Sequence, residues 1–317
     1  MNYKYIFGPV PSRRLGISLG IDLIPHKTCS FDCLYCECGK TTNKTMDRQE
    51  FVPTEQVLKE LNHYLTHHPL PDFATFSGAG EPTLHTGIGE ITDFIKDNYQ
   101  GLKTAMLTNS TTINIPEVRQ ALLKTDIVLP SLDSAVQETF EQINRPVEGI
   151  DVKKVIEGLE SFSLMFDGKI WLEIFILEGY NDSADEIAAL KRAVQRIKPD
   201  RVQLNTMDRP GTEAGLAKAS KKTLERVKKA LDYESTEIIS KYKSRKEIDS
   251  YREDAEEAIV KLTERRPATM KDMEEILGLK SMEIGKYLDI LLAEKRLVIE
   301  TGERGVYYRA PKDRGNE

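Results

Sequence analysis

The chain has 317 residues, with 45 Lys and Arg against 51 Asp and Glu and a formal net charge of −6. This length accommodates one large domain of about 200–250 residues and a smaller one. No apolar run approaches the roughly 20 residues that cross a bilayer, and the N-terminus lacks the apolar stretch of a signal peptide. The negative charge argues against a strong electrostatic grip on nucleic acid but leaves room for a local basic patch. We expect a cytoplasmic protein without a membrane partner.

Segments with strand-like and helix-like patterns alternate between residues 16 and 206. Helical crossovers between the strands imply parallel strands, arranged as an open sheet or a barrel. In either case the loops after the carboxyl ends of the strands form the site. The strands are predicted at 16–24, 72–77, 102–109, 126–133, 169–177 and 200–206. The helices are predicted at 53–65, 88–98, 116–124 and 183–197, with a further helical stretch to about 166 that breaks near Arg145 and Pro146.

The chain becomes highly charged and helical after about residue 215. Helices are predicted at 221–231, 265–279 and 281–298, followed by a hairpin at 299–310. Three helices and a two-stranded hairpin are typical of a winged helix. Residues 251–317 hold 13 Lys and Arg against 15 Asp and Glu, a net charge of −2. Because a DNA-reading helix is usually basic, we expect no tight binding of duplex DNA, and a protein, peptide or structural role for this region.

All four cysteines lie within ten residues, at positions 29, 33, 36 and 38. In a cytoplasmic chain such clustering points to a metal or redox site rather than to disulfides. Cys29, Cys33 and Cys36 could ligate three corners of an iron–sulfur cubane and leave one iron open. Zinc is the alternative, but structural zinc normally pairs two separate knuckles. Cys38 could be a fourth ligand, but Cys-x-Cys is cramped, and we expect it to be an ordinary loop residue.

The segment CSFDCLYC resembles the signature of radical S-adenosylmethionine (SAM) enzymes, with Tyr35 as the aromatic residue before the last Cys. The resemblance covers residues from about 5 to 210. It implies a partial (β/α)6 radical SAM barrel, which we place at 1–235, followed by a helical linker at 236–250 and a winged-helix-like domain at 251–317. It also implies a [4Fe-4S] cluster held by Cys29, Cys33 and Cys36, with SAM at the open iron.

Members of this family bind the amino group of SAM at a Gly-Gly-Glu-Pro-like turn after the second strand. Here the turn reads SGAGEPT, with Ala79 in place of the first Gly. Later strand ends supply polar ligands for the ribose and the carboxylate, although such residues also serve as helix N-caps. The resemblance therefore implies a SAM site formed by Tyr35, Gly78, Gly80, Glu81, Asn109, Ser131 and Asp133.

Other polar residues of the predicted barrel are less specific. Glu173 lies within the apolar strand IWLEIFIL and is expected to face the barrel lumen, or alternatively to pair with a buried cation. Asn205, near the end of the sixth strand, could face the adenine or the substrate. Arg is the natural partner of carboxylates and phosphates, although on loops it also forms structural ion pairs. Four arginines are predicted at the barrel mouth: Arg13, Arg14, Arg145 and Arg209.

The resemblance also implies a reaction. A flavodoxin- or ferredoxin-like donor supplies one electron, SAM is cleaved to methionine and a 5′-deoxyadenosyl radical, and the radical abstracts hydrogen from a substrate. The stretches FGPVPSRRLG, INRP and LNTMDRPG resemble uncharacterised Fe–S oxidoreductases distantly similar to wyosine-base synthases, which modify tRNA. The substrate stays open among tRNA, a peptide or protein, and a small molecule. The alternative is a non-catalytic iron–sulfur electron-transfer or DNA-binding regulatory protein, against which the SGAGEP turn argues.

Overall fold

The computed structural model describes residues 3–12, 14–207, 211–213, 215–239, 253–265, 267–302 and 305–311. The chain divides into two compact units. The first comprises Met1–Ile6 and Gly20–Ile239, and the second comprises Phe7–Leu19 and Ser240–Glu317. The boundaries expected near 235 and 250 stay a prediction.

The strands and helices before residue 240 build a mixed α/β fold around one large sheet. Its strands are β1 (Ile6–Ser12), β2 (Gly16–Ile21), β5 (Phe73–Phe76), β6 (Lys103–Thr108), β7 (Ile127–Pro130), β8 (Lys169–Phe175), β9 (Arg201–Asn205) and β10 (Thr236–Ile238). A separate short parallel pair is formed by β3 (Thr28–Cys29) and β4 (Asn43–Lys44). The helices are α1 (Thr54–His67), α2 (Ile88–Asn98), α3 (Pro116–Leu122), α4 (Gln137–Asn144), α5 (Val152–Ser163), α6 (Ala184–Ile197) and α7 (Lys221–Leu231).

The sheet has the strand order β1-β2-β5-β6-β7-β8-β9-β10, and the strands from β5 to β10 pair in parallel. Every residue of β5 and β7 is buried, as expected when helices cover a parallel sheet. Since parallel strands end at the same edge, the loops that follow them converge there. The architecture is that of a partial radical SAM barrel, and all six strands predicted from the sequence are present.

The helices also follow the predicted pattern, and the break near Arg145 has a clear cause. Arg145 adopts a left-handed conformation (φ 46°) that ends α4, and α5 begins only after Asp151, whose side chain caps it. The helical linker predicted at 236–250 is wrong at its start. Residues Thr236–Ile238 form β10 beside β9, because the β-branched sequence TEI suits an edge position on the sheet. Residues 240–250 lie outside the described part.

The C-terminal region contains α8 (Glu253–Arg265), α9 (Met270–Leu277) and α10 (Ser281–Ala293), with β11 (Ala268–Thr269), β12 (Val298–Gly302) and β13 (Gly305–Arg309). The strands form an antiparallel sheet in the order β11-β13-β12. A capping box of Thr269 and Asp272 begins α9, and the fully buried Tyr287 lies in the core of the unit. The predicted helices and hairpin are present, while the winged-helix assignment stays a prediction. In the described part of the chain, every helix is too short or too polar to cross a membrane.

Candidate active site

The four cysteines lie in residues 28–41, named here the cysteine loop, which follow β2 and begin with the two-residue strand β3. Hydrogen bonds within this segment close it. Cys36 N donates to Cys33 O (3.2 Å), and Gly39 N donates to Cys36 O (3.2 Å). On the return, Thr41 N donates to the carboxylate of Asp32 at 2.7 Å. The local sequence therefore folds into consecutive turns that hold the thiols near one another.

Each of the three signature thiols receives a hydrogen bond from a different part of the fold. Asn109 Nδ2, at the end of β6, lies 3.5 Å from Cys29 Sγ. Asn144 Nδ2, at the end of α4, lies 3.5 Å from Cys33 Sγ. The Nζ of Lys27 lies 3.2 Å from Cys36 Sγ. Donors directed at sulfur are a common surrounding of cluster-ligating thiolates, whose electronic properties they tune.

Burial and neighbouring charges give the three signature thiols different pKa values. Burial, with a contribution from the Glu81 carboxylate, raises the pKa of Cys29 to about 12. Burial likewise raises the pKa of Cys33 well above its usual value. A hydrogen bond from Cys38 and the nearby Lys27 ammonium lower the pKa of Cys36 to about 6, against the effect of burial. Cys36 therefore favours the thiolate form. Cys29 and Cys33 must lose their protons when they bind a metal.

The thiols suit a cubane, because a cubane binds each thiolate to a different iron. Three partly buried thiols that each accept a hydrogen bond from an N–H donor fit this group. Cys38 Sγ lies 4.0 Å from the carbonyl of Gly78.

The SGAGEP turn packs directly on the cysteine loop. Lys27 N donates to Ala79 O (3.0 Å), and Glu81 N donates to Thr28 O (3.2 Å). A Cβ on Gly80 would lie 2.1 Å from Thr28 O, and Gly78 has a φ of +152°. Glycine is therefore required here, because two backbone segments approach each other closely. This close approach joins the SGAGEP turn to the cysteine loop.

Glu81 fixes this turn to the neighbouring strand. Its buried carboxylate accepts hydrogen bonds from the backbone N of Thr83 (3.1 Å) and from the Thr83 hydroxyl (2.6 Å). It also accepts from the Thr108 hydroxyl and from Asn109 N, both at 2.7 Å. Burial raises its pKa although these bonds oppose the shift. Glu81 thus positions the turn, and its direct contact with SAM stays a prediction.

A second buried carboxylate, Asp133, ties the other side of the cysteine loop to the sheet. Its Oδ2 accepts from the Tyr35 hydroxyl at 2.5 Å and from Asn144 Nδ2 at 2.7 Å. Its Oδ1 accepts from Phe175 N at 2.9 Å, and the rings of Tyr35 and Phe175 stack with centroids 3.9 Å apart. Burial raises the pKa of Asp133 to about 6. The side chains of Tyr35 and Asp133 are therefore engaged with each other, and their contact with SAM stays a prediction.

The two remaining predicted SAM ligands, Asn109 and Ser131, differ in whether the side chain already forms hydrogen bonds with the protein. Asn109 Nδ2 donates to Ser30 Oγ (2.8 Å), while Asn109 Oδ1 accepts from Thr111 N (3.1 Å). The half-buried Ser131 uses its carbonyl to accept from Ser110 Oγ. Its hydroxyl forms no hydrogen bond within the described residues. Ser131 is therefore well placed to bind an added polar group.

Strands β8, β9 and β10 carry a polar row on one face, named here the far-strand row, which consists of Glu173, Gln203 and Glu237. The sheet register aligns Glu173 with Gln203 and Gln203 with Glu237, while Ser131, which follows β7, aligns with Glu173. Gln203 Nε2 donates to Glu237 Oε1 at 2.8 Å, and Glu237 also pairs with Arg201. Partners in a parallel pair share a face. Phe175, two residues after Glu173, points the same way and stacks on Tyr35. The far-strand row therefore faces the side of the sheet that carries the cysteine loop, as the lumen prediction for Glu173 requires.

The remaining predicted positions have mixed outcomes. Asn205 aligns with Phe175 on the same face. Arg145 forms an ion pair with Glu213 at 2.6 Å, so it has the structural role that was the alternative to ligand binding. Arg14 belongs to the second unit. Arg13 and Arg209 lie outside the described residues.

Sequence reasoning missed three residues that support the cysteine loop. Lys27 and Asn144 contact thiols directly, and the Thr212 hydroxyl donates to Cys33 O at 3.1 Å. Asn144 lies within INRP, so its motif was visible although its role was not. Nothing in the local pattern around Lys27 or Thr212 pointed to the thiols, because their positions depend on the folded loop.

Comparison with known proteins identifies the class that this fold and loop define. Residues 23–190 match the model of the radical SAM superfamily. The chain therefore belongs to the radical SAM superfamily, and it is an enzyme whose cofactors are a [4Fe-4S] cluster and SAM.

Individual relatives extend the likeness beyond that region. UPF0026 protein MJ1312 of Methanocaldococcus jannaschii is 28% identical over 97% of both chains. A protein of Brachyspira hyodysenteriae named GTPase Obg is 37% identical over 84% of this chain, which spans 39% of that protein's length. This chain contains no G-x4-G-K-[S/T] phosphate-binding loop.

A solved structure shows the shared fold. The structure of TYW1 with a lysine-pyruvate adduct bound has a TM-score of 0.50 and 16% identity, covering 72% of this chain and 76% of that one.

Proposed function

We propose that Cys29, Cys33 and Cys36 ligate the cluster and that the SGAGEP turn and Ser131 bind SAM beside it. The observation that supports this most strongly is the backbone connection between the two motifs, through Lys27 N to Ala79 O and Glu81 N to Thr28 O. When bound, the cluster and SAM together supply a 5′-deoxyadenosyl radical after transfer of one electron from a ferredoxin- or flavodoxin-like donor.

The side chains of the protein then have distinct tasks. Glu81 holds the turn against β6. Tyr35 and Asp133 hold the cysteine loop against β8. The Ser131 hydroxyl binds a hydroxyl or carboxylate of SAM, and the far-strand row contacts the substrate. Orientation and exclusion of water are thus the contribution of the fold, while the radical chemistry belongs to the cofactors.

The experiment that tests this proposal measures SAM cleavage without substrate. The full chain is reconstituted anaerobically with iron and sulfide, reduced with dithionite, and incubated with SAM. We expect slow formation of 5′-deoxyadenosine, which the Cys33→Ala variant loses. A wild-type protein that retains its iron but forms no 5′-deoxyadenosine supports the electron-carrier alternative instead.

For the substrate we propose RNA, on the strength of a local excess of positive charge. Residues 184–231 hold 12 Lys and Arg against six Asp and Glu, a net charge of +6 in a chain of net −6. Four exposed lysines of α7 form no ion pair within the described residues. Free cations on one helix suit a phosphate backbone, which agrees with the resemblance to wyosine-base synthases. The four residues are Lys221, Lys222, Lys228 and Lys229.

Binding assays with the full chain at low salt separate the substrate classes. We expect tRNA to bind, and binding to weaken steeply as salt rises. Replacing the four lysines of α7 by Glu should abolish this binding, whereas Glu at Lys153 and Lys154, exposed on α5, should not. We propose that the winged-helix-like region positions substrate and does not hold duplex DNA tightly. Preference for duplex DNA, or binding that survives the α7 changes, contradicts these proposals.

A further inference from the structure

A buried lysine lies beside the cysteine loop. Lys27 is 3% exposed, and its Nζ lies 3.2 Å from Cys36 Sγ. Its backbone is held from both sides, because Lys27 N donates to Ala79 O while Lys27 O accepts from Thr42 N and Asn43 N, both at 3.1 Å. Lys27 also has a φ of 59°, a conformation that residues with a side chain rarely adopt. The fold therefore fixes this ammonium at one place.

The charge of Lys27 has sulfur rather than carboxylate as its partner. Lys27 forms no ion pair with Asp or Glu among the described residues. A buried ammonium is costly unless an anion and hydrogen bonds compensate it. The group within hydrogen-bonding distance of the Lys27 ammonium is the sulfur of Cys36, so the anion that this site provides for Lys27 is a thiolate, free or bound to the cluster.

Resting on the proposed cluster site, we propose that Lys27 is a positioning residue that raises the reduction potential of the cluster through its hydrogen bond and charge at Cys36. Reduction adds one negative charge to a group already surrounded by thiolates. A fixed cation in a site of low dielectric constant stabilises the reduced form more than the oxidised form. Hydrogen bonds to the sulfurs and local charge are known determinants of such potentials. Lys27 thereby makes the electron transfer that begins SAM cleavage more favourable.

The position of Lys27 also links this effect to the SAM side of the site. The same residue that contacts Cys36 donates its backbone N–H to Ala79 of the SGAGEP turn. Lys27 therefore contacts Cys36 through its side chain and the SGAGEP turn through its backbone. The side chain and the backbone of Lys27 act separately, so a side-chain substitution can test the charge while leaving the connection to the turn in place.

The test is an EPR-monitored redox titration of the anaerobically reconstituted full chain, with iron counted in each sample. Lys27→Met removes charge and donor, Lys27→Gln retains an N–H donor, and Lys27→Arg retains the charge. We expect Lys27→Met to keep its iron and to disfavour reduction at least tenfold, which is 59 mV for a one-electron couple. Lys27→Gln should shift in the same direction by less, and Lys27→Arg should restore the wild-type value. Lys44→Met, at an exposed lysine that donates to backbone carbonyls, is the matched control and should not shift.

Several results overturn this inference. A Lys27→Met cluster with the wild-type potential shows that the charge has no effect on reduction. Loss of iron from both Lys27→Met and Lys27→Gln assigns Lys27 to cluster assembly instead. Unchanged potentials with weaker SAM binding in Lys27→Met assign it to the SAM carboxylate. The potential is measured without SAM, so it distinguishes failure of this inference from failure of the proposed SAM chemistry.

Discussion

Two groups of carboxylates, one beside the cysteine loop and one on the far strands β8 and β10, are organised in different ways. Beside the cysteine loop, Glu81 and Asp133 are buried, and each accepts hydrogen bonds from several protein groups. On the far strands, Glu173 and Glu237 are only partly buried and belong to a row set by strand register, in which Glu237 accepts a hydrogen bond from Gln203. The first group is fixed by the fold, whereas the second is partly exposed.

This difference separates cofactor binding from substrate binding. A reactive cofactor must be held in one geometry, which requires carboxylates committed to positioning loops. A substrate pocket instead needs polar groups that a ligand can reach, and partly exposed carboxylates meet that need. The predictions below test whether the two groups divide the work in this way.

The largest effect is expected at the signature cysteines. Alanine at Cys29, Cys33 or Cys36 should abolish cluster incorporation and reduce SAM cleavage by more than about 100-fold, because an iron loses its thiolate ligand. Cys38→Ala should retain the cluster, since a fourth thiolate would occupy the iron that SAM needs. Iron content and the absorbance of the reconstituted proteins measure both outcomes. Equal loss of iron in Cys38→Ala and Cys33→Ala contradicts the open-iron arrangement.

The next largest effect is expected at Glu81, the buried carboxylate that positions the SGAGEP turn. Glu81→Gln should leave the iron in place and weaken SAM binding by about tenfold, or ~1.4 kcal/mol, because the turn loses charge-assisted bonds to Asn109 and Thr83. Equilibrium dialysis with labelled SAM gives the affinity. Glu60→Gln is the control, since Glu60 also accepts backbone N–H bonds, from Lys4 and Tyr5, but lies on α1. Similar losses in both variants would indicate general destabilisation rather than positioning of the turn.

Substitutions in the far-strand row should not affect cofactor binding. Glu173→Gln and Glu237→Gln should keep their iron, and both should form 5′-deoxyadenosine without substrate at rates within about twofold of the wild type. Chromatographic quantification of 5′-deoxyadenosine over time provides the measurement. If Glu173→Gln loses uncoupled cleavage as fully as Cys33→Ala, then the far-strand row serves SAM and the division between the two groups of carboxylates is incorrect.

The cofactor side was readable from sequence because its chemistry is concentrated in short motifs. CSFDCLYC and SGAGEP lie at the ends of predicted strands, and their resemblance to the motifs of radical SAM enzymes placed Cys29, Cys33, Cys36 and Glu81 in one predicted site. The strands and helices were readable because their apolar periodicity is strong. The family model then confirmed the class.

The rest depended on long-range geometry. Glu173, Gln203 and Glu237 are more than 25 residues apart in sequence, and only the register of β8, β9 and β10 aligns them. Lys27 precedes the signature, but its side chain reaches Cys36 through the fold of the loop. The strand β10 was missed because a three-residue parallel strand carries too little periodicity to identify.

The smallest effect concerns the bond between Tyr35 and Asp133, and its signature is a dependence on pH. Burial raises the pKa of Asp133 to about 6, above the usual aspartate value of 3.8 that applies in the unfolded chain. The stability that Asp133 gains by being protonated is therefore present below about pH 4 and is lost as pH rises through 6. The pKa of Tyr35 is raised well above its usual value, so its hydroxyl remains a donor throughout. Its bond to Asp133 is consequently stronger when the carboxylate is charged.

Tyr35→Phe should therefore cost more stability at high pH than at low pH. We expect a loss of about 1.5–3 kcal/mol at pH 8, where the acceptor is charged, and about 0.5–1.5 kcal/mol at pH 5, where it is mostly neutral. Urea unfolding of the metal-free protein at the two pH values measures the difference. Tyr233→Phe is the control, because the Tyr233 hydroxyl donates to the uncharged carbonyl of Pro199 and its loss should not depend on pH. Equal losses for Tyr35→Phe at both pH values would show that Asp133 does not change its charge between them. A loss of about 1.5–3 kcal/mol at both would indicate a carboxylate that its hydrogen bonds hold ionised, and a loss of about 0.5–1.5 kcal/mol at both would indicate a neutral carboxyl.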